Sequence, residues 1–79
     1  MNRPAMKFQT GEKVMIECKG VNRYATVELA SSNGKSLALV FEAIIDGHVG
    51  MMPVLLDDDG VYRSIVNGVA VSIRPLGVR

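Results

Sequence analysis

The residues that could do chemistry in this chain are few and far apart. They are an acidic run, Asp57-Asp58-Asp59-Gly60, a single histidine, His48, a single cysteine, Cys18, and a group of lysines and arginines concentrated in the first half. Calcium loops place carboxylates at alternate positions so that they converge on one ion, with a further acidic ligand downstream. Three contiguous aspartates before a glycine splay apart instead, so this run is expected to be a turn. A general base needs a nucleophile or a substrate pocket beside it. His48 follows Asp46-Gly47 and is expected at a strand end with its polar edge in solvent. Cys18 is expected inside as a small core residue, and His48 with Cys18 would supply too few ligands for zinc. The glycines are not followed by helical sequence, so no loop cradles a phosphate. The expectation is a chain that is not an enzyme and carries no metal and no cofactor.

The basic residues are unevenly placed. Residues 1–35 hold six basic and three acidic side chains, a net of +3, and residues 36–79 hold three and five, a net of −2. The whole chain carries only +1, which gives weak generic attraction to nucleic acid or to a membrane. Small barrels do bind single strands through a basic groove with stacking aromatics. Lys13, Lys19, Arg23 and Tyr24 are the residues that would serve such a groove here, with Thr26 outward beside them and Lys7 and Lys35 nearby. Tyr24 is the sole outward aromatic in that set, and Glu17 and Glu28 interrupt the positive field. Single-stranded nucleic acid is therefore the alternative partner.

The elements that must position these residues are strands. No window repeats apolar residues with helical spacing over helical length, whereas alternation runs through nearly the whole chain. Glycine turns divide it: Ser32-Asn33-Gly34, Asp46-Gly47, Asp58-Asp59-Gly60 and Asn67-Gly68. Two-residue loops at Asp46-Gly47 and Asn67-Gly68 pair Ile45 with His48 and Val66 with Val69. Three-residue loops ending in Gly34 and Gly60 pair Leu29 with Leu37, Val27 with Leu39, Leu56 with Tyr62 and Val54 with Ser64. A loop at Gly20-Val21 pairs Cys18 with Arg23 and Val14 with Val27. Paired residues share a face, and on this register one face is almost wholly apolar. Strands are expected over 13–19, 23–31, 35–45, 48–57, 61–66 and 69–75. The fold class is all-β: a six-stranded antiparallel up-and-down meander curled into one barrel of SH3-like size. Residues 1–79 form a single domain, with 1–12 as an N-terminal arm.

One hairpin is apolar on both sides. The outward set of residues 36–56 is Ala38, Val40, Glu42, Ile44, Val49, Met51, Pro53 and Leu55, with Glu42 alone charged. An exposed apolar patch of that size marks an interface. A 79-residue chain buries only roughly 60–65% of its unfolded surface, so self-association would add burial that the fold lacks. Val40, Ile44, Val49, Met51 and Leu55 are the expected interface of a homodimer or a docked protein partner. The competing cover is the N-terminal arm, through Met6 and Phe8. Pro53 favours an edge or a bulge, because it cannot donate to a ladder. A lone cysteine fits a reducing compartment. Residues 1–7 have no signal-like apolar core, and no stretch of about 20 apolar residues spans a membrane. A cytoplasmic protein is expected.

Overall fold

In the computed structural model the described residues are 8–45 and 47–76, with only the backbone of Ala43. Among the described residues, alternating apolar side chains and turn-forming glycines yield six strands and no helix: β1 (Lys13–Cys18), β2 (Val21–Ala30), β3 (Ser36–Ile45), β4 (His48–Leu56), β5 (Tyr62–Ser64) and β6 (Ala70–Pro75). Each strand pairs antiparallel with the next, and β6 returns to β1 to close a barrel. The closing seam sets Ile16 opposite Ile73 and Val14 opposite Pro75. The expected all-β, up-and-down meander is the observed fold.

The barrel interior is filled by alternate residues, as the two-residue side-chain period of a strand requires. Val14, Ile16 and Cys18 of β1, Leu37, Leu39, Phe41 and Ile45 of β3, and Met52 and Val54 of β4 are all buried. The arm adds Phe8 to this core rather than to the outer hairpin face; its ring meets Tyr62 edge-on at 6.2 Å. The Tyr62 hydroxyl donates to the Gly34 carbonyl at 2.5 Å, and burial raises its pKa. Behind Phe8, the Gly11 amide donates to the Val27 carbonyl at 2.6 Å and the Val27 amide to the Glu12 carbonyl at 2.9 Å. Met6 and Lys7 lie outside the described residues.

Three hairpins differ from the expected register, each by two residues. The first loop is Lys19-Gly20 rather than Gly20-Val21. Both residues have positive φ, 51° and 81°, as a type I′ turn demands, and Val14 therefore faces Ala25 instead of Val27. In the central hairpin Ile45 does pair with His48, but the register shifts between Val40 and Ile44, so Leu39 faces Met52 instead of Val54. Of the turn itself, Gly47 is described and Asp46 is not. The last loop is longer than Asn67-Gly68, because Ser64 donates to the Val69 carbonyl, and Tyr62 faces Val71 instead of Ile73. A two-residue slip preserves the face of every side chain. The β4–β5 pairs, Val54 with Ser64 and Leu56 with Tyr62, are as expected.

The β2–β3 hairpin breaks this parity once. Its loop is one residue longer than expected, since the Ser31 amide donates to the Ser36 carbonyl. A bulge between Val27 and Leu29 then restores the pairing of Val27 with Leu39. Leu29, expected inside opposite Leu37, is paired with Ala38 and exposed. Val66, also expected inside, is exposed because β5 stops at Ser64. Pro53 explains that stop. It sits mid-strand rather than on an edge, opposite Ala38, and its carbonyl accepts the Ile65 amide at 2.9 Å. In an antiparallel ladder a residue's N–H and C=O face the same neighbour. The donor that proline lacks is thus the one that would have continued β5.

Gly50 lies opposite the register shift of β3 with φ 78°. A Cβ there would find room, its nearest neighbour being the Phe41 carbonyl oxygen at 4.0 Å, so the constraint is backbone conformation alone. Gly50→Ala is expected to lower unfolding free energy by about 1–2 kcal/mol, measured by urea titration; an unchanged midpoint would contradict that assignment.

Candidate interaction surface and an adjoining groove

The outer face of the sheet carries an apolar row that crosses four strands. Leu29 of β2 pairs with Ala38 of β3, Ala38 pairs with Pro53 of β4, and Ile65 bonds to Pro53 just beyond β5. A second row pairs Val40 with Met51, and a third pairs Ile44 with Val49. Leu55 lies between Ser36 and Arg63 on the other side. Ile44, Val49, Met51 and Leu55 are exposed by 48–74%. All are outward, as expected, and Val40 is half-buried among them. Leu29, Ile65 and Val66 were missed from the sequence. The bulge at Glu28 turns Leu29 outward, the early end of β5 exposes Val66, and Ile65 shares the outward parity of Arg63; together they widen the patch beyond one hairpin.

Beside this face lies an open groove of about 570 Å³, lined by Lys13, Arg23, Tyr24, Thr26, Val40, Glu42 and Leu76 with Ala25 and Phe41 below. Its origin is the way two strands part. Among the described residues the β2–β3 ladder runs from Ala30 only as far as Thr26, opposite Val40. Residues Val21–Ala25 stay paired to β1, while β3 goes on to Ile45. Lys13 donates to the Thr26 hydroxyl at 3.1 Å and Arg23 to the Asn22 carbonyl at 2.7 Å. Tyr24 is 70% exposed. Three of the four residues suggested for nucleic acid thus meet in one groove. Lys19 does not, because it occupies the β1–β2 turn.

The histidine expectation fails. His48 is buried, with Nε2 2.8 Å from the Ser64 hydroxyl and Nδ1 3.2 Å from the Ile45 carbonyl. A carbonyl accepts only, which assigns the proton to Nδ1 and makes Nε2 the acceptor of the Ser64 proton. Ser64 Oγ in turn accepts the Val66 amide at 3.2 Å. The sequence does hold a signal: the expected register places the polar side chains of His48 and Ser64 on the nearly apolar inner face. A hydroxyl bonded to an imidazole is how nucleophiles are activated, yet here both groups are buried and neither lines the groove. The pair ties the start of β4 to the end of β5.

The acidic run forms the expected turn. Asp57 Oδ1 accepts the amides of Asp59 and Val61, each at 2.9 Å, and Oδ2 takes the Arg63 guanidinium at 2.8 Å. The Val61 amide and the Arg63 side chain hold the Asp57 carboxyl below its ordinary pKa. Cys18 is buried within the core, as expected. Among the described residues no three His, Cys, Asp or Glu side chains gather as metal ligands, and no helix is long and apolar enough to cross a membrane. No protein-family model matches the chain, and comparison with curated proteins and with solved structures likewise finds no match.

Two outcomes follow from these side chains. Ser64→Ala removes the partner of both His48 Nε2 and the Val66 amide and is expected to cost about 1–3 kcal/mol in chemical denaturation; a loss below that range would mean the bonds contribute little. Asp57 has a folded pKa below its unfolded one, so its contribution is present above about pH 4 and is lost as pH falls through the folded value. Asp57→Asn should therefore be less stable than wild type at pH 7, with the gap closing in acid. A gap independent of pH would contradict the linkage.

Proposed function

We propose that this protein is a non-enzymatic interaction module that self-associates through the outer face of β2–β5. The observation that supports this most is the cross-strand row Leu29–Ala38–Pro53–Ile65, flanked by the Val40–Met51 and Ile44–Val49 pairs. Large contiguous apolar patches on small soluble proteins mark interaction sites. A sheet face buries such side chains best against another sheet, at about 10 Å separation. A second copy offers the same apolar face, and two-fold pairing sets it against itself. Arg63 stands at the margin beside Leu55, where a rim belongs, while Glu42, between Val40 and Ile44 on β3, lines the adjoining groove. Phe8, one of the two residues by which the arm could have covered this face, is in the core.

Val49 and Leu55 project from β4 and are not core residues, so lysine there disturbs contact between copies without emptying the interior. Sedimentation of wild type at tens of micromolar is expected to give a dimer, and Val49→Lys and Leu55→Lys a folded monomer. A monomeric wild type would remove the proposal, as would a dimer that both lysines leave intact.

A further inference from the structure

We propose that the groove where β2 and β3 part binds one nucleotide unit, with its phosphate at Lys13 and Arg23 and its base on Tyr24. The two cations and the exposed ring line one cavity, although they come from different strands and opposite registers. Arg23 is opposite Ile16, a core residue, while Tyr24 is opposite Met15 on the outer side. In a continuous barrel wall Arg23 would point into the core. It reaches solvent because the β2–β3 ladder has already ended at Thr26. The parting of the strands thus brings an inner-register cation next to an outer-register ring.

The chemistry of the lining selects the ligand. About 570 Å³ falls within the roughly 300–1,000 Å³ of small-ligand sites. An exposed tyrosine ring offers a stacking surface to a planar base, and Lys13 and Arg23 offer charge-assisted bonds to a phosphate. Val40 and Leu76 supply apolar contact beside the ring. Glu42 stands on the β3 wall. It repels a second phosphate and accepts from an exocyclic amino group, as carboxylates do from cytosine N4. Cytosine should therefore bind better than uracil, a contrast between rings of equal size. Lys13, Arg23 and Tyr24 lie outside the apolar rows, and the groove meets those rows at Val40.

The test is fluorescence or calorimetric titration of the full chain with cytidine and uridine monophosphates and with short oligocytidylate and oligouridylate, at two salt concentrations. Saturable binding that prefers cytosine is expected. Tyr24→Ala should weaken it roughly tenfold, while Tyr24→Phe keeps it. Lys13→Ala or Arg23→Ala should each lower the salt slope for the oligonucleotide by roughly 0.7. Equal affinity per site for monophosphate and oligonucleotide would assign a free nucleotide; binding of the oligonucleotide alone would assign a strand. Both support the site. No saturable binding at millimolar ligand overturns it, as does binding that Tyr24→Ala and Arg23→Ala leave unchanged in variants whose circular dichroism is native. Equal affinity for cytosine and uracil overturns the role given to Glu42.

Discussion

The pairing of β1 with β6, Ile16 opposite Ile73 and Met15 opposite Arg74, converts a strip of hairpins into a closed wall. An open sheet of this composition would leave two edges able to recruit other chains. Closure removes those edges and gives the sheet one inner face of fixed capacity. That face is filled by Val, Ile, Leu, Phe and Met side chains together with the His48–Ser64 pair. Any further apolar residue must then stand outside. Leu29, Ile44, Val49, Met51, Leu55 and Ile65 do so, and their exposure is a consequence of closure rather than of a poorly packed core.

Two departures from a regular barrel shape its outer surface. The bulge at Glu28 turns Leu29 outward and joins β2 to the apolar rows of the central hairpin. Pro53 ends β5 early and leaves Ile65 and Val66 outside. Where β3 separates from β2, a groove carrying Lys13, Arg23 and Glu42 opens beside the apolar rows. The two surfaces meet at Val40, which pairs with Met51 on one side and lines the groove on the other.

Much of this was legible in the residues because strand periodicity is two. A loop expected one residue late, as at Gly20-Val21, or two residues short on its N-terminal side, as at Asn67-Gly68, moves a register by two and leaves the inner set intact. That is why Val14, Ile16 and Val71 are inside although their partners differ from expectation, and the two-residue shift between Val40 and Ile44 does the same for Leu39 and Met52. A single-residue event is different. The Glu28 bulge has no signal in a sequence whose neighbours, Val27 and Leu29, are both apolar, so Leu29 was placed on the wrong face. The expectation for His48 fails for another reason. Its burial depends on Ser64, sixteen residues away, and a local reading sees only the turn beside it. The groove was legible as a residue set but not as a place, because it exists only where two strands separate.

The central claim is that the apolar rows outside β2–β5 are covered in solution by a second copy. The most direct measurement is the relaxation enhancement of methyl groups by a water-soluble paramagnetic probe. The methyls of Ile44, Val49, Met51, Leu55 and Ile65 are predicted to be shielded, while those of Val21, exposed where β2 leaves the β1–β2 turn, are strongly relaxed. Equal relaxation of both groups at concentrations of tens of micromolar and above would contradict it.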